Sequence, residues 1–330
     1  LSIIQMIISK TPYRISFFGG GSDYPSWYLR NGGAVISSTI DKYIYISCRK
    51  LPPFFNHKYR IVWSKVESVN NVNEIQLKPV REMIKKFNIK DGLEIHYDGD
   101  LPARSGMGSS SVFVVGLLNL FNNINKKKIE NEMLAKQSIH FEQKVLKEVV
   151  GSQDQIAASC GGFNKIIFNK GGKFLVKPIK IKKETLNNLN QNLILVYTGL
   201  TRNAHDIASS FVNKLKTTKR NQILEILNFV TEAENTLKKD DLNSFGKLLH
   251  ESWIKKKELS SFITNNKIDD IYNYAINKGA VGGKLLGAGG GGFLLFFVEK
   301  KNQKKFKKKF SKKKIVSFNF YNKGSEIIKI

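Results

Sequence analysis

The residues Gly106-Met107-Gly108-Ser109-Ser110-Ser111 form a segment whose side chains and spacing suit phosphate. Two glycines let a backbone come close to a ligand. Three hydroxyls then stand at the head of an almost wholly apolar run, residues 112–121, that predicts a helix. A helix N-terminus offers unpaired N–H groups and the positive end of a dipole, both of which favour an anion. A plain helix start needs only one capping serine. Here glycines and three serines occur together after Leu101-Pro102, which favours phosphate binding. No Gly-Lys-Ser/Thr follows, so this is not a Walker A loop. Positive charge must come from elsewhere, and Mg²⁺ is the expected source.

Glu142 is the second feature. Ala135, Ile139, Val145, Leu146 and Val149 share one face of an amphipathic helix expected over 131–149, and Glu142 falls in the middle of that face. A carboxylate among apolar neighbours is costly unless paired or on a metal, so either the helix phase is misjudged, or Glu142 is half of a buried ion pair, or it is a Mg²⁺ ligand. Asp154, between Gly151 and the pair Gly161-Gly162, is weak alone, because Asp near glycine is common in turns. Arg14, on a strand that ends at Gly19-Gly20-Gly21, could equally be a surface residue. The segment 287–292 matches GxGxxG by spacing, but Phe293-Leu294-Leu295-Phe296-Phe297-Val298 follows as a strand. A dinucleotide fingerprint needs a helix there. A glycine loop that closes over a ligand or packs on another loop fits better. The five histidines are scattered, with no zinc-ligand spacing, and there is no GxSxG nucleophile elbow.

These candidates need a scaffold, and 330 residues with 41% hydrophobic content can bury one of about two domains. Strands are expected over 3–18, 33–49, 59–63, 93–97 and 193–197, and helices over 80–87, 131–149, 204–216, 221–237, 242–259 and 268–278. The segment 282–298 turns from glycine loop to strand, and 315–321 is the expected final strand. The Asn-rich stretch 180–192 reads as an interdomain linker. Strands and helices mix in both halves, so the class is α+β. No apolar run reaches the length of a membrane-spanning helix, no signal peptide is expected, and two cysteines without CxxC suit a reduced, cytoplasmic setting. The net charge of +27 raises the question of nucleic acid. Lysine is spread along the whole chain, so neither nucleic acid nor membrane is expected as a partner. The exception to test is the basic segment 300–314, where Phe306 and Phe310 stand one helical turn apart.

The three glycine-rich segments, in this order, resemble the GHMP kinases, the family of galactokinase, homoserine kinase and mevalonate kinase. The first family motif resembles residues 12–24, the second residues 101–111 and the third residues 284–293. Longer stretches (17–28, 38–45, 51–63, 92–111 and 149–162) resemble the heptose 7-phosphate kinases more closely still. Where galactokinases carry Gly-Glu-His-Thr-Asp-Tyr, this sequence has Gly-Gly-Gly-Ser-Asp-Tyr. The resemblance implies an N-terminal ATP-binding domain over 1–185, like ribosomal protein S5, and a ferredoxin-like C-terminal domain over 190–330. It implies ATP held by Arg104, Gly106, Met107, Gly108, Ser109, Ser110 and Ser111, with Mg²⁺ on Ser110 and Glu142. It makes Asp154 the catalytic aspartate and Arg14 its basic partner. Gly20, Gly21, Ser22, Asp23, Tyr24, Gly289 and Gly290 would meet the sugar. The expected reaction is phosphorylation of the anomeric hydroxyl of a sugar phosphate, with a small molecule as partner and a homodimer left open. Lys42, Lys58, Arg60, Arg104 and Arg202 are unranked candidates for the sugar's own phosphate.

Overall fold

A computed structural model describes residues 6–201, 204–310 and 314–329. Its larger sheet is built on two long strands, Ile7–Phe18 and Gly33–Lys50, paired antiparallel. Glu326–Lys329 pairs on the outer edge of the first. Leu93–Gly99 pairs with residues 44–50 of the second, and Phe163–Phe168 with residues 33–38. One long strand therefore serves two neighbours in succession along the same edge. Tyr59–Val62 lies parallel to Leu93–Gly99, and Val66–Val69 and Phe174–Pro178 complete the two arms.

The helix Ser109–Ile124 lies against this sheet and is buried over most of its circumference. That burial explains why its sequence shows no polar stripe. The pairing of the first two strands breaks between Pro12 and Arg14, and again between Ser16 and Phe18. Proline cannot donate to a ladder, and such irregularities re-aim side chains next to functional sites. Tyr13 is skipped at this break, and Arg14 re-enters the ladder opposite Thr39.

The smaller sheet has the order Ile315–Val316, Leu193–Tyr197, Phe293–Phe297, Gly282–Leu285, all antiparallel. In chain order that is 4-1-3-2, the arrangement of a ferredoxin-like sheet. Phe293–Phe297 is buried at every position, as a central strand covered on both faces must be. The helices Arg220–Lys238 and Leu242–Lys257 pack on each other, and the second also packs on Gly282–Leu285.

Three expectations are corrected. Residues 183–192 of the supposed linker form the helix Lys183–Asn192, with Thr185 and Leu189 buried one turn apart. The helix expected over 131–149 is α-helical only over Asn131–His140 and continues as a π-helical turn, Phe141–Val145. The final strand expected over 315–321 is two short strands in different sheets, because Phe320–Tyr321 crosses back to pair with Thr39 and Ile40 of the larger sheet. The basic segment begins as the helix Lys300–Lys307, docked by a fully buried Phe306 that packs 6.0 Å from Phe296 and 5.0 Å from Phe310. The aromatic pair faces the protein and the lysines face solvent. Residues 311–313 of that segment, and Arg202, lie outside the described residues.

Candidate active site

The two halves of the fold meet over a cleft of 340 Å³. One wall is the glycine-serine loop. Gly108 takes the left-handed conformation, φ 78°, and the helix begins at Ser109, so Ser109, Ser110 and Ser111 present the helix N-terminus to the cleft. Arg104 lines the same wall, and its backbone N–H donates to Ser109 Oγ at 3.2 Å. Met107 does not line the cleft; its side chain is fully buried in the core and anchors the loop.

The third glycine segment packs directly on this loop. A Cβ on Gly106 would lie 2.4 Å from the carbonyl oxygen of Leu286, and one on Gly292 would lie 2.1 Å from that of Ser105. Phe293 N–H donates to the Ser105 carbonyl at 3.1 Å. Glycine is required here because two backbones touch. Gly289 reaches the cleft, whereas Gly290 is tied by its N–H to the Ile263 carbonyl at 2.8 Å.

Arg14 and Asp154 meet at the floor of the cleft. The guanidinium donates from Nε to Asp154 Oδ1 and from Nη2 to Oδ2, both at 2.6 Å, and from Nη1 to the Gly106 carbonyl at 3.0 Å. This bidentate fork is the strongest geometry available to such a pair. Arg14 is 3% exposed and Asp154 22%, so the carboxylate faces the cavity and the arginine fixes it from behind. Asp154 lies in the first turn of the helix Gln153–Cys160. Gln153 accepts from Ser16 Oγ at 2.7 Å, which ties that turn to the first strand.

Asp23 is held by its surroundings. It accepts from Gly21 N–H at 2.9 Å and Gln153 N–H at 3.4 Å. Burial, then the nearby Asp154 charge, push its carboxyl up, against the pull of those N–H groups. Gly20, Gly21 and Tyr24 also line the cleft. Ser22 does not: its hydroxyl donates to the Gly19 and Ala34 carbonyls, so it shapes the loop from behind.

Glu142 is 0% exposed. The π-helical turn carries it beside the serine loop, where Ser110 Oγ donates to Oε1 at 3.4 Å and Gln155 Nε2 to Oε2 at 2.5 Å. Burial raises its carboxyl to about 7, against the hydrogen bonds that lower it. No ion pair accompanies it among the described residues, which removes the buried-pair alternative there. Gln155 Oε1 is buried with no hydrogen-bond partner among the described residues.

Lys42, Lys58 and Arg60 lie outside the cleft; Arg60 pairs with Glu94 at 2.6 Å on the larger sheet. Sequence reasoning missed Lys256 and Lys284, which both line it. Lys284 donates to the Phe17 carbonyl at 2.5 Å, and Lys256 to the Leu285 and Gly287 carbonyls at 3.0 and 2.5 Å. A signal existed for Lys256, because it follows Leu249 and Trp253 at helical spacing on the buried face of its helix.

The chain matches the family model for the GHMP kinases N terminal domain over residues 75–162 and that for the GHMP kinases C terminal region over residues 233–315. It is 29% identical over 296 residues to a D-glycero-alpha-D-manno-heptose 7-phosphate kinase of Campylobacter jejuni, covering 87% of each chain. It is 24% identical to a bifunctional fucokinase/GDP-fucose pyrophosphorylase of Arabidopsis thaliana, covering 85% of this chain and 28% of that protein. A solved D-glycero-D-manno-heptose 1-phosphate kinase from Bacteroides thetaiotaomicron has the same fold, with a TM-score of 0.79 at 23% identity, covering 98% of this chain and 99% of that one. The second and third glycine segments, which touch across the cleft, fall one in each family match, and the chain belongs to the GHMP kinase family as a sugar-kinase phosphotransferase.

Proposed function

We propose that the protein transfers the γ-phosphoryl group of ATP to the anomeric hydroxyl of D-glycero-α-D-manno-heptose 7-phosphate, giving the 1,7-bisphosphate and ADP for synthesis of a nucleotide-activated heptose. The residues 1–185 would carry the nucleotide and 190–330 would close the cleft. The observation that carries the reading is the Arg14–Asp154 fork, set beside a helix N-terminus that begins in three serines. The choice of heptose rests on the Campylobacter relative.

Phosphoryl transfer has a loose transition state, so positioning and charge stabilisation dominate. The acceptor oxygen forms a bond to the γ-phosphorus, the bond from that phosphorus to the bridging oxygen breaks, and ADP leaves. Each carboxylate oxygen of Asp154 accepts one hydrogen bond from Arg14 and keeps a second acceptor position. One of these would receive the acceptor hydroxyl and its proton. Arg14, already fixed, adds positive charge beside the transferring group without reorganising.

The residues fit a magnesium ion. Glu142 is a fully buried carboxylate without a cation, and Ser110 Oγ lies on the cleft side of it. Among the described residues no three His, Cys, Asp or Glu converge as a metal site. Two protein oxygens, completed by phosphate oxygens and water, are the usual magnesium arrangement. Bound there, the ion would neutralise charge on the ATP phosphates.

A panel of sugars and sugar phosphates with ADP release as readout tests the reading. The heptose 7-phosphate should give the highest kcat/KM. The fucokinase relative supports a second reading, another sugar 1-kinase, which a faster reaction with an unphosphorylated sugar would establish.

A further inference from the structure

Lys256 and Lys284 come from different elements, the helix Leu242–Lys257 and the strand Gly282–Leu285, and converge on one side of the cleft. Lys284 is 5% exposed. Both ammonium groups donate only to backbone carbonyls, and neither forms an ion pair among the described residues. Arg14, the third cation at this place, is already matched by Asp154. Among the described residues, the Asp23 carboxylate is close enough for its charge to act on Lys256.

Burying the Lys284 ammonium beside the half-buried Lys256, with no counter-ion paired to either among the described residues, is costly. Burial, reinforced by neighbouring positive charge, holds Lys256 well below its ordinary range and brings Lys284 down to about 7. Both lysines line the cavity while donating to fixed carbonyls, two for Lys256 and one for Lys284; each ammonium has three donors, so donors remain for a ligand. A dianion would supply the missing charge. The nucleotide phosphates already have the serine loop, the helix N-terminus and the Glu142 metal position. Lys256 instead feels the charge of Asp23, which lines the same cleft as Gly20 and Gly21, where the sugar would lie.

We propose that Lys256 and Lys284 form a phosphate subsite that receives the acceptor's own, non-transferred phosphate and so selects phosphorylated sugars over free ones. This rests on the sugar-phosphate reading of the same cleft. The experiment is steady-state kinetics of the full chain, with ATP, heptose 7-phosphate and unphosphorylated heptose each varied, for the wild type, Lys256→Met and Lys256→Arg. Removing one charge-assisted contact should raise KM for heptose 7-phosphate by about 10- to 100-fold. KM for ATP should stay within about twofold, which also shows that the variant is folded. The preference for the phosphorylated sugar should collapse in Lys256→Met and largely return in Lys256→Arg. A merely structural lysine would shift both sugars and ATP together. A wild type that prefers the phosphorylated sugar beside a Lys256→Met variant that keeps the preference overturns the subsite alone. A rise confined to KM for ATP also overturns it, by assigning the lysine to the nucleotide. A wild type indifferent to the sugar's phosphate refutes the sugar-phosphate reading and the subsite with it.

Discussion

Replacing Glu142 by glutamine should make the ligand-free protein more stable while disabling it. The carboxyl is fully buried, and folding raises it from 4.5 to about 7. Between those values the folded state holds a proton that the unfolded state has lost. Stability therefore falls as pH rises through that window and levels off above it. At about 1.4 kcal/mol per pKa unit, the ionised carboxylate costs the folded protein about 3 kcal/mol at pH 8. Glutamine has nearly the same shape and no charge. Its amide oxygen can accept from Gln155 and its nitrogen can face Ser110, the two partners Glu142 has now. Thermal unfolding of metal- and nucleotide-free protein should place Glu142→Gln about 5 °C above the wild type at pH 8. The gap should shrink to about 1 °C near pH 5. Adding Mg·ATP should raise the wild type far more than the variant. Turnover should fall by about 100-fold or more, because the proposed magnesium ligand would be gone. A variant less stable than the wild type at pH 8, or a gap independent of pH, would refute the reasoning.

Asp154→Asn should lower turnover by about 1,000-fold while ATP affinity, read by titration, stays within about threefold. It should also cost about 1–3 kcal/mol, because Arg14 loses its charge partner in a buried place. Gly151→Ala places a Cβ 1.9 Å from Asp23 Oδ2, so Asp23 must shift. Kinetics should show a raised KM for the sugar and an unchanged KM for ATP, with about 1–3 kcal/mol lost in denaturant unfolding. Phe306→Ala should cost about 3–5 kcal/mol. The double change Lys304→Ala, Lys305→Ala should leave stability within about 0.5 kcal/mol and turnover unchanged; salt-sensitive vesicle or RNA binding lost in that double variant would revive a role for the basic helix.

The parts of the site legible in the sequence are those whose reason is local. A glycine-serine loop before an apolar helix states its own geometry, and Glu142 stood out because it broke the pattern of its helix. The structure buries it, on a π-helical turn that shifts the phase beyond His140. Residues whose reason is long-range were hidden. Ser22 lies in the first glycine-rich motif yet turns to the backbone of residue 34, a contact made by the return of the second strand. Lys284 is buried because a strand of the smaller sheet meets residue 17 of the larger one, 267 positions away in sequence. The return of Phe320–Tyr321 to the larger sheet depends on pairing with Thr39 and Ile40, which no local pattern encodes. The helix Lys183–Asn192 was masked by its asparagines, poor helix formers that two buried side chains one turn apart override.

The most direct test of the central claim is ³¹P NMR of the product formed from ATP and heptose 7-phosphate. The account predicts two phosphomonoester signals, one retained at C7 and one new signal coupled to the anomeric proton, with one ADP formed per sugar consumed. A new phosphate coupled to any other proton, or ADP formed with inorganic phosphate and an unchanged sugar, would contradict it.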